Sequence, residues 1–230
     1  MERLTIEDMK SIELEIMDEI DRVCVAHGVQ YYLGYGSLLG AVRHGGFIPW
    51  DDDMDFAMFR EDYDKLCAIA PRYFQTPYFF QNVYTDKKYI HGHAQIRNSF
   101  TTGILVGEED KEFNQGIFID LFVLESVSSE ERLERQRYEC GVIKECIYAL
   151  EQGEKYSWPE KFEIPEDLKE NLTVKKCWNY IDKMFREVPL SSTNQVAPLN
   201  FLFDTEKRIR DKHIYDRTIM MDFEYVQLPV

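Results

Sequence analysis

The run Gly36-Ser37-Leu38-Leu39-Gly40-Ala41-Val42-Arg43-His44-Gly45-Gly46-Phe47-Ile48-Pro49-Trp50-Asp51-Asp52-Asp53-Met54-Asp55 constrains the fold more than any other part of the chain. A Gly-Ser turn opening a short helix presents free backbone N–H groups, and a helix N-terminus of that kind suits an anion. Four carboxylates then follow within five residues, at Asp51, Asp52, Asp53 and Asp55. Two like unit charges about 4 Å apart repel by roughly 4 kcal/mol at an effective dielectric of about 20, so such a cluster calls for a cation. An anion-binding turn beside a divalent-metal site points to phosphoryl-group chemistry.

On an extended segment, side chains at i, i+2 and i+4 share one face. A strand over 53–59, if extended from as early as Asp51, projects Asp51, Asp53 and Asp55 together and buries Met54, Phe56 and Met58 on the other side. Carboxylates at i and i+2 among apolar neighbours make a clamp for Mg²⁺ or Mn²⁺, which take oxygen ligands and keep positions for water and substrate phosphate. A solvated acidic turn stays open as the plain alternative for Asp51 and Asp52. Asp120 is isolated within Ile117-Phe118-Ile119-Asp120-Leu121-Phe122-Val123. A charged carboxylate in hydrocarbon needs a partner. It either caps a nearby donor or meets the same metal from an adjacent strand, and the second reading is favoured. There it completes the coordination and accepts the proton of an attacking hydroxyl.

Arg43 and His44 end the short helix close in sequence to the carboxylates. Arginine suits bidentate phosphate binding, with a surface ion pair as the alternative. Arg97 is expected on a strand bordering the cleft. His91-Gly92-His93 reads as a plain start to a strand rather than a zinc site, since no cysteine or third histidine is near in sequence. Trp50 and Tyr35 flank the acidic turn and could stack on a base, although core packing explains aromatics more often. A dinucleotide fingerprint is rejected on spacing and on the shortness of the following helix, and no Walker-type P-loop occurs.

With 230 residues, 44% of them hydrophobic, the chain is one domain or one domain with an appendage. Its net charge of −15 excludes an unaided nucleic-acid binder. Five scattered cysteines without a C-x-x-C pair point to a reduced, cytosolic setting. No signal-peptide pattern or membrane-length apolar run is present, so the expectation is a soluble protein without a transmembrane segment, cytoplasmic and able to visit the inner membrane face. Periodicity predicts a helix over 5–27 with a Thr5/Asp8 capping box, β-prone residues 29–35, and a short helix to about His44. Beyond it come a helix over 60–74 interrupted near Pro71, strands over 78–84, 91–98 and 116–124, and helices over 129–151 and 167–187. The fold class is α+β, with a core over 1–125 and a helical, irregular extension over 126–230.

The stretch Tyr32 to Asp55, continued by Arg60-Glu61-Asp62-Tyr63, closely resembles the signature of the LicD family. Those are phosphocholine transferases of bacterial surface glycans, related to the fukutin-type ribitol-phosphate transferases. Gln95-Ile96-Arg97 with Thr101-Thr102, and Gly116 to Phe122, resemble later family blocks, so the likeness covers about 8–125. It implies a polymerase-β-like nucleotidyltransferase core. On this chain Gly36 and Ser37 would hold the diphosphate, Asp53 and Asp55 a Mg²⁺ or Mn²⁺ ion, Asp120 would be the third carboxylate and Asp51 a further ligand. Arg43, His44 and Arg97 would serve the substrate. The implied reaction moves a phosphoalcohol group from a CDP-alcohol donor such as CDP-choline to a sugar or lipid-linked glycan acceptor. Nucleotidyl transfer from a nucleoside triphosphate, and a catalytically silent nucleotide- or glycan-binding module, are the alternatives. Phe223 to Val230 resembles the opening of a late family segment, which implies a truncated or divergent C-terminus.

Overall fold

In the computed structural model, which describes residues 4–200 and 205–230, the chain opens with the helix its periodicity predicts. This helix, α1, spans Ile6–His27. The Thr5 hydroxyl accepts the Asp8 N–H at 3.2 Å, and the Thr5 N–H donates to the Asp8 carboxylate at 2.8 Å. Such a cap contributes about 1 kcal/mol. Gly28 ends the helix at φ 62°, a left-handed conformation that suits glycine.

Next come β1 (Tyr32–Leu33), α2 (Tyr35–His44), β2 (Asp55–Phe59), α3 (Arg60–Tyr73), β3 (Tyr78–Gln81), β4 (Ala94–Asn98) and β5 (Ile117–Val127). The strands form a mixed sheet in spatial order β1-β2-β5-β4-β3. Pairs β1–β2, β4–β5 and β3–β4 are antiparallel. Cross-strand partners share a face. Ala94 opposite Leu121 and Ile96 opposite Ile119 therefore point together into the core, where they meet Ile16, Met17 and Ile20 of α1. Gln95 opposite Asp120, Arg97 opposite Phe118 and Gln81 opposite Gln95 line the other face. The sheet thus has one hydrocarbon face and one polar, functional face.

Several elements depart from the sequence expectation. The β-prone residues 29–35 supply just β1, because Gly34 already serves as the N-cap of α2. Gly36 and Ser37 consequently lie inside the first helical turn rather than ahead of it. β2 begins at Asp55, not Asp53, and residues 51–54 have no regular structure. Met54, Phe56 and Met58 are buried as the alternation requires. Helix α3 runs through Pro71, which has no N–H to give the preceding turn, and buried Ala70 and Phe74 hold that end on the core. The strand expected over 78–84 stops at Gln81 because the Asn82 side chain accepts the N–H groups of Tyr84 and Thr85, at 2.9 and 3.0 Å, and turns the chain. The strand expected from His91 starts at Ala94, leaving both histidines outside the ladder.

Beyond these come α4 (Glu130–Glu151), α5 (Glu166–Lys169), α6 (Val174–Arg186), β6 (Gln195–Ala197), α7 (Thr205–Arg208), β7 (Arg210–Asp211), β8 (Met220–Phe223) and β9 (Val226–Pro229). The single helix expected over 167–187 is two, since Asn171 adopts φ 50° and Thr173 caps a new start. Packing divides the chain into one unit of residues up to 123 with 215–230, and a second of 124–214. The final segment, expected in the helical extension, instead joins the first unit: the β8–β9 hairpin packs on α2 and β1. In the second unit α4 packs on α6, and Ile143, Ile147, Ile181 and Phe185 of these helices are buried. The five cysteines are free thiols, four of them buried.

Candidate active site

The site is built where α2 begins and β2 begins. The Gly34 N–H donates to the Asp55 carbonyl at 2.9 Å, and the Asp55 N–H donates to Ser37 Oγ at 2.8 Å. The Gly36 N–H at the start of the helix favours the charged form of the Asp55 carboxylate. The anion at this helix N-terminus is therefore the protein's own Asp55. A Cβ on Gly36 would stand 3.0 Å from Asp51 Oδ2, so glycine lets the Asp51 carboxylate close over the turn. Tyr35, at φ 45°, holds a left-handed conformation uncommon for a non-glycine residue. Its ring meets Phe122 edge-on at 5.0 Å. Ser37 is buried, and its hydroxyl anchors β2. The Ser37 hydroxyl is thus committed to the Asp55 backbone.

Asp120 reaches the same place from β5: its N–H donates to the Met54 carbonyl at 3.0 Å. The carboxylates of Asp51, Asp53, Asp55 and Asp120 then interact strongly. Burial, then repulsion from Asp51 and Asp120, pushes Asp53 up to about 6. Burial, then Asp53 and Asp120, pushes Asp55 up to about 8. Burial also works against the charged form of Asp120, but His93, Gln95 and Arg97 outweigh it and hold Asp120 below the usual carboxylate range. Two kinds of carboxylate result: one anchored as an anion, the others short of positive charge.

The anchoring set is local to the polar face of the sheet. Gln95 Nε2 donates to Asp120 Oδ1 at 2.8 Å, and His93 Nε2 lies 3.1 Å from the same oxygen. Gln95 Oε1 in turn accepts Arg97 Nη2 at 2.5 Å. Arg97 also donates to Gln81 Oε1 at 2.5 Å and to the Gly116 carbonyl at 2.6 Å, and stacks over Phe118 at 4.5 Å. It is 1% exposed. The expectation of a substrate-binding Arg97 is thus corrected: its guanidinium is committed inside the protein and acts on the site through Gln95.

Arg43 and His44 are exposed in the last turn of α2. At about 1.5 Å of rise per residue, their backbone stands roughly 10 Å along the helix from Gly36. Neither side chain makes a hydrogen bond or ion pair with the carboxylates. Trp50 is 79% exposed beside the acidic turn, so core packing does not account for it.

Two residues escaped the sequence reading. Alternation puts His93 on the face of Gln95, and the pairing of β4 with β5 sets that face against Asp120. Its neighbour His91 pairs with Glu108 at 2.7 Å. Glu13 lies in the apolar stripe of α1, four residues after Met9 and three before Ile16, and is 2% exposed. Burial, then Asp53, Asp52, Asp120 and Asp55, pushes its carboxyl up to about 9. A groove of about 710 Å³, lined by Met9, Ile12, Phe100, Leu105 and Ile117, has Asp52 in its wall.

The donors here are all oxygen, which suits Mg²⁺ or Mn²⁺ over softer metals. Among the described residues, no three acidic, histidine or cysteine side chains stand close enough as placed to hold one ion. The raised affinities of Asp53, Asp55 and Glu13 for protons, and the Glu13 Oε2 without a hydrogen-bond partner, mark where positive charge is missing. In chemistry and in charge the residues fit a hard cation.

Among the described residues, no helix is long and apolar enough to cross a membrane. The model of the LicD/FKTN/FKRP nucleotidyltransferase domain matches residues 28–140. The chain is 29% identical over 134 residues to the lipopolysaccharide cholinephosphotransferase LicD of Haemophilus influenzae, covering 58% of this chain and 49% of that protein. It is 58% identical over 40 residues to the human ribitol 5-phosphate transferase FKRP, 17% of this chain and 8% of that one. An uncharacterised protein of Rickettsia typhi is 34% identical over 79 residues, 34% of this chain and 26% of that protein. The chain therefore spans about half the length of the Haemophilus relative, and less of the others.

Proposed function

This chain belongs, through residues 28–140, to the LicD/FKTN/FKRP nucleotidyltransferase family, and we propose that it transfers a substituted phosphate group from a CDP-linked donor to a sugar hydroxyl. The names of its relatives support a phosphate ester of a small polar alcohol as the transferred group, cholinephosphate in one and ribitol 5-phosphate in another. CDP-choline is accordingly the first donor to try. The observation that carries the reading is the Asp120 N–H to Met54 carbonyl bond, which joins the strand bearing the third aspartate to the segment bearing Asp53 and Asp55. The acceptor is a surface glycan or its lipid-linked precursor, met in the cytoplasm or at the inner membrane face.

A Mg²⁺ or Mn²⁺ ion held by Asp53, Asp55 and Asp120, with Asp51 as a further ligand, would offset the diphosphate's charge and favour the departure of cytidine monophosphate. The chain supplies the rest. The N–H groups in the first turn of α2, of which that of Gly36 favours the charged form of Asp55, are the donors a diphosphate oxygen would use. The acceptor hydroxyl oxygen attacks the phosphorus that carries the alcohol, the bond from that phosphorus to cytidine monophosphate breaks, and the hydroxyl proton passes to the Asp120 carboxylate. In a loose transition state little base strength is needed, so an anchored carboxylate suffices. Gln95 and His93 keep Asp120 aimed, and Arg97 keeps Gln95 in place.

Incubation with choline-labelled CDP-choline and, in parallel, α-phosphate-labelled ATP tests the reading, each with Mg²⁺ and a glycan acceptor pool. Label from CDP-choline is expected on the acceptor. Label arriving from ATP instead would assign nucleotidyl transfer, and nucleotide binding without cation dependence or turnover would assign a silent module.

A further inference from the structure

Glu13 has no part in the family reading, yet its position is hard to explain as packing. Flanking positions of the same α1 stripe, Ile16, Met17 and Ile20, are buried hydrocarbon. Glu13 is 2% exposed among them, and its Oε2 has no hydrogen-bond partner among the described residues. A neutral carboxyl needs an acceptor for its O–H and a charged one needs donors or a cation, so a buried orphan oxygen is anomalous in either state.

Its surroundings show where the missing partner belongs. One turn earlier, the Lys10 ammonium donates to the carbonyls of Ile48 and Pro49, at 3.5 and 3.3 Å. That pins this part of α1 against the loop leading into the acidic segment. Met9 and Ile12 share a groove with Asp52. Asp53, Asp52, Asp120 and Asp55 all act electrostatically on Glu13, Asp53 most strongly. Glu13 therefore sits buried on the part of α1 that Lys10 holds against the loop into the acidic segment, within electrostatic reach of the carboxylate cluster.

We propose that Glu13 is a fifth carboxylate of the site, a positioning residue whose Oε2 orients the hydration shell of the divalent cation held by Asp53 and Asp55. The inference rests on the metal-dependent reading of the site. Small hard cations retain several waters, and those waters need fixed acceptors. Outer acceptors of this kind typically alter metal affinity by about 10–100-fold. α1 thereby contributes to cation binding as well as to the core.

The test is calorimetric titration of Mn²⁺ into the full chain stripped with chelator, for the parent, Glu13→Gln, Glu13→Asp and Asp53→Asn proteins. Circular dichroism and metal-free melting check the fold of each. Glutamine keeps the shape without the charge, and aspartate keeps the charge but withdraws it by one methylene. Both Glu13 variants are expected to melt as folded proteins and to bind Mn²⁺ roughly 10–100-fold more weakly, while Asp53→Asn loses binding. Parent-like Mn²⁺ affinity in either folded Glu13 variant, with binding lost in Asp53→Asn, overturns the role of Glu13 and leaves the metal reading standing. Absence of Mn²⁺ binding by the parent protein overturns both.

Discussion

The Ser37 hydroxyl accepts the backbone N–H of Asp55 at 2.8 Å, tying the first turn of α2 to the first residue of β2. Glycine and aspartate motifs eighteen positions apart in the chain are thereby made one site.

Ser37→Ala removes this acceptor and leaves a part-buried N–H unpaired, a loss of about 1–3 kcal/mol. Urea unfolding is expected to show that loss as an earlier midpoint with an unchanged slope. A midpoint equal to that of the parent would mean that β2 is held elsewhere.

Arg97 is expected to behave as a structural residue. Arg97→Met strands the side-chain oxygens of Gln81 and Gln95 and the carbonyl of Gly116, three acceptors the guanidinium now satisfies. A loss of roughly 3–5 kcal/mol is expected, and Arg97→Lys should recover little of it, since an ammonium cannot reproduce the planar fork. Arg43→Gln, at an exposed position, should change stability by less than about 0.5 kcal/mol. Equal stabilities for the Arg97→Met and Arg43→Gln proteins would refute this division of roles.

The acidic site also sets a pH dependence. Asp53, Asp55 and Glu13 have carboxyl groups raised to about 6, 8 and 9, from ordinary values of 3.8 and 4.5. The folded state then holds protons more tightly than the unfolded one, so stability present below pH ~4 is lost as pH rises through these values. Asp120, held low, has the opposite sign, but its contribution is lost only as pH falls below about 4. Metal-free protein is expected to melt at progressively lower temperature from about pH 5 to about pH 9, and millimolar Mg²⁺ or Mn²⁺ should flatten the decline by binding the native state. A melting temperature that rises across this window without metal would contradict the electrostatics described here.

Much of this was legible in the sequence because it is local. The α1 cap follows from Thr5 and Asp8, the burial of Met54, Phe56 and Met58 from alternation, and the isolation of Asp120 from its apolar neighbours. What resisted reading depends on pairing at a distance. The commitment of Arg97 becomes visible once register sets it between Gln81 and Phe118. The link from His93 to Asp120 likewise needs β4 and β5 side by side. Other motif residues serve packing rather than ligands: a Cβ on Gly40 would stand 2.3 Å from the Gly46 carbonyl oxygen, and the Phe47 N–H donates to Glu224 Oε1 at 3.1 Å, joining the motif to the C-terminal hairpin. Glu13 went unread, although helical spacing alone sets its charge in the apolar stripe of α1.

The most direct measurement is the rate of cytidine monophosphate release from CDP-choline, with Mg²⁺ and acceptor present, for the parent protein and for folded Asp53→Asn and Asp120→Asn variants. Loss of an electrostatic group acting in the transition state typically costs about 10²–10³ in rate, and a fall of that size is expected in each variant. Release at the parent rate in either one would contradict the claim that Asp53 and Asp120 serve a common catalytic centre.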